Sequence, residues 1–214
     1  MKMIISGSSG GIGRAIAEKF LKEGHSVIGV DLLPSVISNP NYTHFVADVT
    51  KDELPDADAD IVVVCHGVQD EASAIKTNLE GAIRFEKKYE DSPSLKSVLF
   101  IASSSARNGA EFPLYSAAKG GLVTYMKNVA VHLAKRGVTV NSISPGAVIT
   151  PMNDHILKDK ALYEAVADES LLRKWAKPDE MAEWVYFLTV INKSMTGEDL
   201  LIDNGEILKS NFIW

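Results

Sequence analysis

Met3-Ile4-Ile5-Ser6-Gly7-Ser8-Ser9-Gly10-Gly11-Ile12-Gly13 is a short apolar run that breaks into a glycine-rich turn, after which Ala15, Ile16, Phe20 and Leu21 recur at helical spacing. The stretch predicts strand, turn and helix in that order. A parallel strand that enters a helix through such a turn presents free backbone N–H groups and the positive end of the helix dipole to a phosphate. Gly7, Gly11 and Gly13 give the spacing Gly-xxx-Gly-x-Gly, where absent side chains permit the tight turn, the approach of a pyrophosphate and the packing of helix on strand. An ordinary tight turn is the plainer reading, but strand, turn and helix together are the setting that dinucleotide binding requires.

Working outward, Gly24 closes the helix and Ser26 to Val30 reads as a second strand with Asp31 just past its end. An acid there can accept hydrogen bonds from adenosine ribose hydroxyls and repels a 2′-phosphate, which favours NAD over NADP. As a plainer alternative, Asp31 is a turn-forming acid ahead of Pro34. Tyr42 to Val46 and Asp60 to Cys65 read as strands three and four, the latter with the unbroken apolar run of a strand covered on both faces. A helical pattern spans Glu71 to Tyr89 and contains Asn78; Lys96 to Ala102 is a fifth strand that ends in Ser103-Ser104-Ser105. A long helix follows Pro113, Val138 to Ile143 is strand six, Asp179 to Val190 is helical and Leu200 to Ile202 is the last strand. Strands joined by helical patterns predict an α/β fold, a doubly wound parallel sheet in three α/β/α layers forming one domain over residues 1–214.

Tyr115-Ser116-Ala117-Ala118-Lys119 lies in the long helix and sets a phenol and an ammonium on one face. A lysine cation beside a phenol favours phenolate, bringing an acid or base nearer to neutral pH. Many helices carry such a pair as a half-buried ring beside a solvated charge, so the pair alone proves little.

Composition excludes other classes. The 214 residues carry a net charge of −6 and no basic cluster longer than two residues, which argues against a nucleic-acid surface. Cys65 is the single cysteine, so no intrachain disulfide and no multi-cysteine metal site is expected. No run of 18 or more apolar residues could span a bilayer, and the chain opens on a strand in place of a leader, so the expectation is a cytoplasmic protein without a membrane or metal partner.

The Gly7-xxx-Gly11-Ile12-Gly13 turn, Asp48-Val49, Asn78, Ser103, Tyr115-xxx-Lys119, Pro145-Gly146 with Thr150, Pro178 to Ala182 and Met195-Thr196-Gly197 occur in an order that resembles the short-chain dehydrogenase/reductase family over nearly the whole chain. The resemblance implies a Rossmann-like fold and an oxidoreductase that moves a hydride between a nicotinamide cofactor, NAD before NADP, and a secondary alcohol or ketone. It implies a catalytic tetrad in which Tyr115 passes the proton, Ser103 holds the substrate oxygen and Lys119 binds the nicotinamide ribose and, with the oxidised cofactor, lowers the tyrosine pKa. Asn78 would anchor a water of the proton relay. Cofactor contacts would come from Gly7, Ser9, Gly11, Ile12, Gly13, Asp31, Leu32, Asp48, Val49, Cys65, His66, Gly67, Tyr115, Lys119, Pro145, Gly146, Val148 and Thr150. Residues 152–176 would be the variable substrate lid, and a homodimer or homotetramer would be the working form. Two other readings stay open: a 3-oxoacyl thioester reductase using NADPH, and a dinucleotide sensor without turnover.

The chain also departs from the family pattern. Val64-Cys65-His66-Gly67 stands where the family usually shows Asn-Asn-Ala-Gly, so the polar side chain that helps to lock the central sheet is expected to be missing, and His66 reads as a structural histidine at a strand end, with contact to cofactor or substrate as the alternative. Only ten residues separate Gly67 from Asn78, and Ser103 stands 12 residues before Tyr115, with Ser104 as a possible substitute. The tail Ser210 to Trp214 is apolar enough to suggest docking on its own domain or on a second subunit.

Overall fold

Period-two alternation in the strands is resolved by burying both faces. In the computed structural model, which describes residues 1–109 and 112–209, the first strand β1 (Lys2–Ser6) sends Ile4 into one core layer and Met3 and Ile5 into the other. Seven strands form one parallel sheet: β1, β2 (Ser26–Asp31), β3 (Tyr42–Val46), β4 (Ile61–Val64), β5 (Ser97–Ile101), β6 (Thr139–Pro145) and β7 (Asp199–Ile202), in the spatial order β3-β2-β1-β4-β5-β6-β7. The four residues of β4 are all buried, which is why that segment reads as continuous Ile-Val-Val-Val.

Helices cover both sides. α1 (Gly11–Lys22) and α7 (Pro178–Tyr186) pack on the layer of Met3, Ile5, Val63, Leu99 and Ile143, while α2 (Ala82–Tyr89) and α4 (Pro113–Leu133) pack on that of Ile4, Val62, Val98 and Phe100. The order of strands reverses at β1, with β2 on one side and β4 on the other. A crevice opens there beyond the carboxyl ends of the strands, where open α/β sheets take ligands.

Three details differ from the sequence expectation. The helix expected from Glu71 begins only at Ile75, as a π-helical turn (Ile75–Gly81) leading into α2. Asn78 within it exchanges two hydrogen bonds with the backbone of Val68, at 2.9 and 2.8 Å, which pins the turn to the loop after β4. A second π-helical turn, Phe187–Ile191, ends α7. The serine cluster after β5 starts a short helix, α3 (Ser105–Asn108). Beyond β6 the expected lid contains α5 (Asp154–Leu157) and α6 (Lys160–Asp168), closed by Trp175, whose ring stacks on Tyr163 and whose indole N–H donates to the Tyr163 carbonyl at 3.0 Å.

Among the described residues no helix is long and apolar enough to cross a membrane, and no group of three or more His, Cys, Asp or Glu could hold a metal ion. The expected docking of Ser210 to Trp214 falls outside the described residues.

Candidate active site

The glycine turn forms the first wall of the crevice. Gly7 has φ +74°, and a Cβ there would stand 2.7 Å from the backbone nitrogen of His66; a Cβ on Gly13 would stand 1.9 Å from the Gly7 carbonyl oxygen. Both positions therefore exclude any side chain, and the turn stays tight enough to bring β1, β4 and α1 together. α1 has no side-chain cap and no acid in its first turn, so the helix start facing the crevice suits an anion. Thr150 lies across this turn, its methyl 3.2 Å from where a Gly11 Cβ would be.

Asp31 ends β2 on the same side. One of its carboxylate oxygens accepts from the Ser9 N–H at 2.9 Å and the other from the Leu33 N–H at 2.9 Å, which holds the charge at the lip of the crevice. Asp48 accepts from both the backbone N–H and the hydroxyl of Thr50, at 2.9 and 2.7 Å, and these bonds hold its carboxyl below the usual range. The crevice is one cleft of about 840 Å³, a size that suits a dinucleotide with a small substrate. All the expected cofactor residues, Gly7, Ser9, Gly11, Ile12, Gly13, Asp31, Leu32, Asp48, Val49, Cys65, His66, Gly67, Pro145, Gly146, Val148 and Thr150, line it, as do Ser103, Tyr115 and Lys119.

Tyr115 and Lys119 reach the floor of the cleft from α4. Ser103 and Tyr115 both line the cleft and Ser103 is the serine that acts on the phenol pKa, whereas the Ser104 hydroxyl donates to Glu206 at 3.3 Å. The Lys119 ammonium donates to the Ile101 carbonyl at 2.8 Å and stands 5.8 Å from the centroid of the Tyr115 ring. Burial drives the electrostatics: it pulls Lys119 down to about 8 and pushes Tyr115 above its ordinary value, with the neighbouring Ser103 opposing the latter. The expectation that the lysine lowers the phenol pKa is thus corrected for the protein by itself, because burial of Tyr115 raises it. Asn78 is buried against Gly67, where an added Cβ would lie 2.8 Å from its Oδ1 and 3.4 Å from Lys119 Nζ.

His66 has a structural task. Its Nε2 lies 3.1 Å from the Thr77 carbonyl, which can only accept, so Nε2 carries the hydrogen and Nδ1 accepts from the Ser6 hydroxyl at 2.6 Å. Ser6 Oγ in turn accepts from the Cys65 N–H at 3.2 Å. Burial pulls His66 down to about 4, in keeping with this neutral ring. The imidazole ties β1 to β4 and to the π-helical turn, and so supplies the polar lock expected to be missing.

Sequence reading overlooked two acids. Glu71, between Gly67 and Asn78, accepts from the Leu114 and Tyr115 N–H groups at 2.9 and 3.1 Å and caps the helix of the phenol. Glu206 lines the cleft. No local motif marks either, since their partners are more than 40 residues away.

With this geometry in view, the comparisons with known proteins converge. The family model described as enoyl-(acyl carrier protein) reductase matches residues 63–206. Glucose 1-dehydrogenase of Gluconobacter oxydans is 26% identical over 99% of this chain and 93% of its own length, and a 3-oxoacyl-[acyl-carrier-protein] reductase of Buchnera aphidicola is 26% identical over 94% of this chain and 95% of its own. A short-chain dehydrogenase family protein from Francisella tularensis superposes with a TM-score of 0.87 at 27% identity, covering 97% of this chain and 99% of that one. The chain belongs to the short-chain dehydrogenase/reductase family and is an oxidoreductase that binds a nicotinamide dinucleotide. Members of this family act on small molecules and often form oligomers.

Proposed function

We propose that this protein is an NAD-preferring oxidoreductase that interconverts a secondary alcohol and its ketone, with Asn78, Ser103, Tyr115 and Lys119 as the catalytic set. The observation that carries the reading is that Ser103, Tyr115 and Lys119 line one glycine-walled cleft, with the Lys119 ammonium 5.8 Å from the centroid of the Tyr115 ring. When bound, the nicotinamide supplies the acceptor or donor of the hydride. The Ser103 hydroxyl orients the substrate oxygen, and Tyr115 gives its proton to that oxygen in reduction or takes it in oxidation. A phenol raised by burial is protonated at neutral pH, which suits reduction, whereas oxidation gains as the pH rises and the proton leaves more readily. Lys119, held by the Ile101 carbonyl, places its charge between the phenol and the ribose hydroxyls. Asn78, fixed by Val68, continues the polar path from the lysine towards the loop after β4.

The carboxylate of Asp31 supports the preference for NAD, since a 2′-phosphate beside it would meet a like charge. Residues 152–176 act as the substrate lid of a single-domain chain, which works as a homodimer or homotetramer in the cytoplasm. The 3-oxoacyl thioester reading has the Buchnera aphidicola relative on its side; it is the second choice because Asp31 disfavours NADPH. The test is steady-state turnover of a panel of secondary alcohols and ketones with NADH and NADPH, alongside Tyr115→Phe. Turnover with NADH, lost by at least about a hundredfold in the variant, is the expected result; an unchanged rate in Tyr115→Phe would remove the catalytic assignment, and a clear NADPH preference would remove the argument from Asp31.

A further inference from the structure

Beyond the cofactor-facing wall, the cleft continues towards the lid, where Phe112, Met152, Ile156 and Trp175 offer apolar surface and Glu206 offers charge. Glu206 is presented by a turn that follows β7. Asp203 holds that turn, its two carboxylate oxygens accepting from the Gly205 and Ile207 N–H groups at 2.9 Å each. The side chain lies over Gly146, with Oε2 2.5 Å from where a Cβ would stand, and Oε1 accepts from the Ser104 hydroxyl at 3.3 Å. Ser104 follows directly on Ser103, and Glu206 lines the same cleft as Ser103 and Tyr115. Glu169 also lines this end, near enough to add to the negative potential on Glu206.

No cation answers these acids. Among the described residues neither Glu206 nor Glu169 takes part in an ion pair. Of the cationic residue types lining the cleft, Lys119 is committed to the Ile101 carbonyl and His66 is neutral, leaving only His155 on the lid. A half-buried carboxylate that meets the Ser104 hydroxyl and the Ala147 backbone, but no cation among the described residues, retains acceptor capacity towards the cleft it lines.

Building on the oxidoreductase reading, we propose that Glu206 is the specificity-determining residue of the substrate end, selecting an alcohol or ketone that carries a hydrogen-bond donor, hydroxyl or ammonium, beside the reacting carbon. The carboxylate accepts from that donor and turns the reacting carbon towards Ser103 and Tyr115. An anionic group in the same place meets Glu206 and Glu169 as like charges and is rejected.

Four ring alcohols of similar size test this: cyclohexanol, cyclohexane-1,2-diol, 2-aminocyclohexanol and 2-hydroxycyclohexanecarboxylate, each oxidised with NAD by the full chain and by E206Q and E206A. The native protein is expected to favour the diol and the amino alcohol over cyclohexanol by at least about tenfold in kcat/KM, with the carboxylate poorest. E206Q keeps an acceptor but no charge, so it lowers the ratio of amino alcohol to cyclohexanol by about thirtyfold and that of diol to cyclohexanol by only a few-fold, whereas E206A erases both preferences. These variants separate an ammonium source from a hydroxyl source. Cyclohexanol oxidised as well as the donor-bearing rings, or ratios unmoved in E206A, would overturn the proposal while leaving the oxidoreductase reading intact. Intact nucleotide binding with no oxidation of any member would overturn both.

Discussion

Replacing Lys119 by Met is expected to abolish turnover and, at the same time, to make the free protein more stable. The reason lies in where the ammonium sits. Lys119 is 4% exposed, and burial lowers its pKa from 10.5 to about 8. Because the folded-state value lies below the unfolded one, the charged lysine opposes folding at every pH below about 8, and the opposition fades as the pH rises towards 10.5. The gap between those two values corresponds to about 3 kcal/mol at neutral pH. Losing the bond to the Ile101 carbonyl returns about 1 kcal/mol of that. A methionine of similar length fills the same space, so the net gain is about 2 kcal/mol, or about 4–8 °C in Tm for a chain of this size. Thermal melts of both proteins without nucleotide at pH 7 and pH 9.5 read it directly: the gap between variant and native should shrink to about zero at the higher pH. A Lys119→Met protein that melts lower than the native one at pH 7, or a gap independent of pH, would refute the argument that this site stores destabilisation for its chemistry.

His66→Ala should lower stability by about 2–3 kcal/mol at neutral pH by orphaning Ser6 and the Thr77 carbonyl, with His66→Asn recovering part of it, as denaturant melts would show. Since the folded ring titrates near 4 and the unfolded one near 6.5, the native protein should lose up to about 3 kcal/mol as the pH falls through those values, and His66→Asn should lose less; equal acid sensitivity in the two would sink the idea. Glu71→Ala removes the carboxylate that caps α4 and should cost about 1 kcal/mol and lower kcat more than it changes KM, because Tyr115 itself loses its N–H partner; kinetics and melts on one preparation check both. Asp31→Ser should raise kcat/KM with NADPH relative to NADH by at least about tenfold, and an unmoved ratio would take Asp31 out of cofactor choice.

The fold was legible because its signals are local. Apolar runs, glycine punctuation and the strand–turn–helix start of the chain identify elements within a dozen residues of one another, and Tyr42 to Val46 is a strand with the same bounds in sequence and structure. The residues expected around the cofactor also stand together along one cleft, since they lie in the turn into α1, beyond the ends of strands or on α4, and parallel strands put all those ends on one side. What the sequence could not show are relations across distance. His66 looks like a loss until Ser6 and Thr77 are seen at its two nitrogens. In the protein by itself the phenol pKa is raised by desolvation, which depends on how tightly the rest of the chain closes over Tyr115. Glu71 and Glu206 carry no pattern of their own; their partners lie 43, 44 and 102 positions off. Periodicity and turn chemistry, encoded by neighbours, determined the sheet and the glycine cradle, whereas desolvation and long-range hydrogen bonds, which exist only once the chain has closed, decided the charge state and shape of the site.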